Sequence, residues 1–111
     1  MKKKFIDPLI KRKANLTKNV EYYGNLPLPS VVEISESGTC NRKCSFCPRS
    51  APDFVDLKEF ISDELITKIS KELSVYNYSG IFLFSGFVEP MVDKNIFNLL
   101  SIVRKNLPNA K

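Results

Sequence analysis

Between Gly80 and Ser85 the chain reads "GIFLFS", a short apolar run flanked on both sides by segments whose apolar residues recur at helical spacing. A run of that length is expected for a strand covered on both faces, as in a parallel sheet. Upstream, Ser62 is placed to cap a helix whose first turn holds Asp63 and Glu64 and whose apolar stripe is Leu65, Ile66, Ile69 and Leu73. Downstream, Asp93 is placed to cap a second helix with the stripe Ile96, Leu100, Val103 and Leu107, basic Arg104 and Lys105 in its last turn, and Pro108 to stop it. Before both lies "SVVEISE" (residues 30–36), in which Val32 and Ile34 alternate with Glu33 and Ser35 as in a strand. The order strand, helix, strand, helix predicts an α/β fold of parallel strands joined by right-handed crossovers. Two helices cannot cover both faces of such a sheet, and a third strand is expected where "NLPNAK" stands, so the sequence is expected to begin a longer domain.

Residues 1–30 differ from this body. Pro8, Pro27, Pro29 and Gly24 interrupt them, with room for one short helix in "PLIKRKANLTKNVEYY" (residues 8–23), and they are expected to be an extension or linker. The net charge of +5 also belongs to this arm: residues 1–20 hold seven Lys or Arg against one Asp, the remainder ten against eleven acids. A body near neutrality offers no basic face for a phosphate backbone, so nucleic acid is not an expected partner and the arm reads as solvated. No apolar run approaches the length of a bilayer span or a signal-peptide core, so a cytoplasmic protein with no membrane partner is expected. With 43% hydrophobic and 26% charged residues, the composition is that of a folded chain.

The chemistry is concentrated in "SGTCNRKCSFCPRS" (residues 37–50), which holds all three cysteines of a chain that has no histidine. An odd number argues against a disulfide framework, and tight clustering in a loop argues for metal or redox work. Closed zinc sites want four Cys or His ligands, so zinc here would need a carboxylate or another chain. A dithiol at Cys44 and Cys47 would leave Cys40 without a role, and a loop rather than a helix follows it. A cubane iron–sulfur cluster held by Cys40, Cys44 and Cys47 would leave one iron open for substrate or cofactor.

The spacing Cys40-x3-Cys44-x2-Cys47 after a first strand, with Phe46 before the last cysteine, resembles the signature of radical S-adenosylmethionine enzymes. The wider wording "CNRKCSFCPR" looks most like the branch that often carries a C-terminal auxiliary-cluster domain of the SPASM or twitch type. The resemblance implies a [4Fe-4S] cluster whose free iron is chelated by S-adenosylmethionine, which is cleaved to a 5′-deoxyadenosyl radical that abstracts hydrogen from substrate. It also implies that residues 31–111 are the first two β/α units of a partial (β/α)6, TIM-like barrel, truncated here, which alone would bind the cofactor weakly and not turn over.

A second match is "FLFSGFVEP" (residues 82–90), similar to that family's glycine-rich motif ending in Glu-Pro, which binds the methionyl amino group. By this resemblance Gly86, Phe87 and Glu89 contact the cofactor, the ammonium being met by backbone carbonyls and the Glu89 carboxylate at a strand's C-terminal end. Many members have glycine before the Glu, whereas this chain has Val88; either its backbone is extended or the contact differs in detail. Phe46 is placed near the adenine, with plain packing as its other reading. Arg42 and Arg49 are candidates to neutralise an anionic cluster or meet a substrate carboxylate, Arg49 the better of the two. No catalytic residue beyond the cluster ligands is assigned. An electron donor such as flavodoxin or ferredoxin is implied, and the branch points to a peptide or protein substrate, then to small metabolites. From a different class, a small zinc-stabilised module with a basic arm for nucleic acid is the alternative, distinguished by being colourless where an iron–sulfur protein is brown.

Overall fold

The computed structural model describes residues 7–18 and 20–111; the lysine-rich start of the arm lies outside them. The chain divides into two compact units, one ending at Ser30 and the other running from Val31 to Lys111. In the first, α1 (Ile10–Lys18) is followed by a two-residue antiparallel pairing of β1 (Tyr22–Tyr23) with β2 (Leu26–Pro27). Asp7 opens α1: its carboxylate accepts from the Leu9 N–H at 2.9 Å and pairs with Lys13 at 2.8 Å. These contacts, the lysine first, hold the Asp7 carboxyl below its usual range.

The second unit has the expected order. β3 (Val31–Ile34) pairs in parallel with β4 (Ile81–Phe84), Val31 opposite Ile81 and Ile34 opposite Phe84, and the crossovers are α2 (Asp63–Ser74) and α3 (Ile96–Asn106). Lys111 lies along the outer side of β4, donating to Gly80 O and accepting from the Phe82 N–H, each at 2.9 Å. Those two bonds have the pattern of a parallel pair at a single residue.

The core lies on one face of this sheet. Val32, Ile34, Phe82 and Phe84 pack against Ile66 of α2 and Leu99, Val103 and Leu107 of α3 and its C-cap. On the other face Val31, Ile81 and Leu83 are exposed, so the apolar run is covered on one side rather than two. The helices are tied by polar contacts as well: Asp63 accepts from Asn95 and Asn98 side chains at 2.6 and 2.7 Å, and buried Ser70 accepts from Asn106 at 2.8 Å. Ser62 caps α2 as expected, accepting from the Leu65 N–H at 3.2 Å.

Two expectations shift in detail. Leu100 is 45% exposed and Leu99 fully buried, so the inward stripe of α3 is Ile96, Leu99, Val103 and Leu107; Leu65 of α2 is likewise exposed. Asp93 does not cap α3 directly. A 3-10 turn (Pro90–Val92) precedes it, Asn95 holds the cap position, and the Asp93 carboxylate accepts from the Asn95 N–H at 2.8 Å.

Candidate functional site

Parallel strands end at the same edge of a sheet, and both sequence motifs leave from that edge. The cysteine loop follows β3 and the Gly-Phe-Val-Glu-Pro loop follows β4, joined at the start by a hydrogen bond from the Ser85 N–H to Ile34 O at 3.0 Å. Together they bound a cleft of about 300 Å³, with Cys40, Cys44, Cys47 and Phe46 on one wall and Gly86, Phe87, Val88 and Glu89 on the other. All seven residues predicted for the site therefore line one cavity. All three cysteines are free and partly exposed.

The cysteine loop is shaped by its own backbone. The Cys47 N–H donates to Cys44 O at 3.0 Å, and the Ser50 hydroxyl donates to Cys47 O at 2.7 Å, turning the chain into a short 3-10 segment (Pro48–Ser50). The Arg42 N–H donates to the Cys40 sulfur at 3.4 Å. Among the described residues no three Cys, Asp or Glu side chains converge as ligands of a single metal ion. A cluster makes a different demand, since each thiolate takes a different iron corner and the sulfurs need only face one cavity.

Phe46 is 90% exposed on the rim of the cleft. Gly86 has φ +111°, a backbone conformation closed to L side chains, and a Cβ there would meet the Ser35 hydroxyl at 2.4 Å. Among the described residues Asn77 is the one non-glycine with positive φ, so Val88 avoids that conformation and the bend is carried by Gly86.

Glu89 sits at the head of the 3-10 turn. Its Oε1 accepts from the Met91 N–H at 3.4 Å, and its Oε2 receives the Arg42 guanidinium at 3.2 Å. A cationic nitrogen thus already rests on this carboxylate, within the cleft. Arg49, the better candidate for an anionic ligand, also lines the cleft, as Arg42 does, but its guanidinium is engaged by protein groups. It donates to Gly38 O at 3.1 Å, pairs with Asp56 and lies 4.8 Å from the Phe54 ring centre.

Sequence reasoning gave Glu36 no role and Asp93 only that of a helix cap; both are buried, each with one carboxylate oxygen lacking a hydrogen-bond partner among the described residues. Burial pushes the Glu36 carboxyl above its usual range, and the charges of Asp93 and Glu89 push it further. Glu36 follows an alternating strand whose pattern gives no sign of burial, and its backbone is joined to a distant segment: its carbonyl accepts from the Ile61 N–H at 2.7 Å.

No protein-family model matches the sequence. Over 82 residues, 74% of this chain and 32% of the relative, it is 26% identical to the S-adenosyl-L-methionine-dependent 2-deoxy-scyllo-inosamine dehydrogenase of Niallia circulans. Its backbone is similar to that of BtrN in complex with AdoMet and 2-DOIA, with a TM-score of 0.69 and 25% identity, covering 76% of this chain and 34% of that one. A selenomethionine form of BtrN in an open conformation gives a TM-score of 0.66 at 25% identity, covering 76% and 36%. The chain spans about a third of the length of the proteins it matches. Its α/β fold is therefore similar to that of an enzyme crystallised with S-adenosylmethionine. No described helix is long and apolar enough to cross a membrane.

Proposed function

We propose that this chain carries the cluster-binding and cofactor-amine-binding part of a radical S-adenosylmethionine enzyme. One observation carries the reading: three thiols and an acid come from motifs far apart in sequence and line a single cleft at the C-terminal edge of a parallel sheet. Similarity to an S-adenosylmethionine-dependent dehydrogenase supports it independently.

The residues fit the groups. Three thiolates with no histidine suit iron–sulfur ligation better than a closed zinc site, whose ligands must converge on one point. Glu89, already accepting a guanidinium, has the charge and place to accept the methionyl ammonium. In this reading Cys40, Cys44 and Cys47 hold a [4Fe-4S] cluster, Glu89 and the Phe87 backbone orient the methionine end, Gly86 lets the backbone approach, and Phe46 shields the adenine. Once bound, cluster and cofactor together would supply an electron to the sulfonium and a 5′-deoxyadenosyl radical to the substrate. A flavodoxin- or ferredoxin-like donor would provide the electron.

In the same reading the second unit is the first two β/α units of a partial (β/α)6 barrel, with Lys111 entering the third strand. The exposed face bearing Val31, Ile81 and Leu83 would then turn to the barrel interior. The comparisons favour a small metabolite over a peptide as substrate, because the relative's named substrate is an aminocyclitol.

The test is anaerobic reconstitution of the longest expressed form of the chain, followed by electron paramagnetic resonance with and without S-adenosylmethionine. A cubane signal that shifts with the cofactor is expected. A colourless protein that takes up zinc and forms no cluster would overturn the proposal.

A further inference from the structure

The three cysteines are bracketed by Gly38 on one side and Arg49 on the other, and Arg49 connects the two. Its side chain is only 9% exposed although it belongs to a surface loop. One nitrogen donates to Gly38 O at 3.1 Å, a second pairs with the Asp56 carboxylate, and the guanidinium stacks over Phe54. Asp56 in turn accepts from the Thr39 hydroxyl at 3.4 Å, so it holds both the entry and the exit of the loop.

Residues 54–61 form a strap beneath this arrangement. The Gly38 N–H donates to Glu59 O at 2.9 Å, the Ile61 N–H to Glu36 O at 2.7 Å, and Ser37 bridges Phe60. The approach is so close that a Cβ on Gly38 would lie 2.2 Å from Leu57 O. No part of this clamp is a thiol, yet it closes the cysteine loop into a ring.

We infer that Arg49, with Asp56, is a positioning residue that pre-organises Cys40, Cys44 and Cys47 by tying the two ends of their loop together. The inference rests on the cluster reading of the site. Loop closure is an entropic cost that a cluster would otherwise meet on binding, and a forked, charge-assisted pair inside the fold removes it beforehand. A lysine keeps the charge and has three donors, but it lacks the planar fork whose separate nitrogens reach the Gly38 carbonyl and the Asp56 carboxylate while its face lies over Phe54.

The experiment compares the parent chain with Arg49→Ala, Arg49→Lys and Asp56→Asn. In the apo proteins, heteronuclear NOE values across residues 39–48 report loop order; in the reconstituted proteins, the rate at which a chelator bleaches the visible cluster absorption reports retention. All three variants are expected to lower the NOE values and to lose cluster faster, by about tenfold for Arg49→Ala, the size of one charged hydrogen bond. Arg49→Lys failing to restore retention is the signature of the fork rather than of charge. Should Arg49→Ala unfold by circular dichroism, Asp56→Asn and Arg49→Lys decide. A parent chain that never takes up a cluster sinks the cluster reading and the inference with it. If the parent takes up a cluster and Arg49→Lys and Asp56→Asn match it in loop order and retention, the clamp alone is refuted.

Discussion

At the scale of single residues, the bend that forms the site rests on a glycine that no other residue type replaces without cost. Gly86 carries the bend between β4 and Glu89 at φ +111°. Gly86→Ala is expected to destabilise the fold by about 1–3 kcal/mol in urea titrations, the cost of holding a side chain in a glycine-only region. Gly24→Ala, at φ +58° with open space around it, is expected to cost less. Equal losses would count against the assignment of strain to Gly86. Glu36 supplies the pH dependence. Its folded-state pKa is raised, so the folded protein holds its proton at pH values where the unfolded chain has released it. The stability this contributes is present below the ordinary glutamate range and is lost as pH rises through the folded-state value. Glu36→Gln is therefore expected to give a flatter pH profile and a higher urea midpoint than the parent at pH 7.5. A parallel pair of profiles would show that Glu36 does not titrate with folding.

At the scale of elements, α3 separates what periodicity shows from what it leaves open. A stripe through Ile96, Val103 and Leu107 is legible in the sequence, but Leu99 and Leu100 sit side by side between them, and either completes a helical face. The α2 helix decides, because Ser70 and Asp63 bind Asn106, Asn95 and Asn98 and fix the rotation of α3. Leu99→Ala is expected to cost about 2–5 kcal/mol and Leu100→Ala under about 0.5 kcal/mol by urea denaturation. A reversed order would mean that α3 is turned by most of a residue. The start of α3 was legible only to within a few residues for a related reason. Asp93 carries the chemistry of a cap, yet Pro90 sets a 3-10 turn first, leaving Asp93 buried. Strands β3 and β4, the α2 cap and the three cysteines were legible because each depends on local pattern, whereas the two-residue pairing of β1 with β2 was not. The clamp of Arg49 on Asp56 and the burial of Glu36 were not, since both depend on the strap at 54–61 folding back on the loop.

At the scale of the whole molecule, stability is unevenly shared. Residues 31–111 enclose the cluster of Ile66, Tyr78, Leu99, Val103 and Leu107, whereas the unit ending at Ser30 has a nine-residue helix, a two-residue hairpin ladder and, among its described residues, Leu28 as its one buried side chain. A helix of that length is marginal without packing. Native-state hydrogen exchange is expected to give α1 amides an opening free energy near 0–1 kcal/mol, and those of Ile66, Leu99 and Val103 the global value. Matched protection in α1 and α3 would show that the two units unfold as one.

Parallel pairing of β3 with β4 has one more effect. Strands that run the same way force each helix to carry the chain back to the far end of the sheet before the next strand starts. The returns at residues 75–80 and 107–110 therefore lie away from the cleft, and they hold Tyr78, whose hydroxyl donates to Ile81 O at 2.9 Å, with Leu107 and Ala110, all buried. Anchors of folding and carriers of chemistry occupy opposite rims. Substitutions at one rim can therefore reshape the cleft while the other keeps the chain foldable.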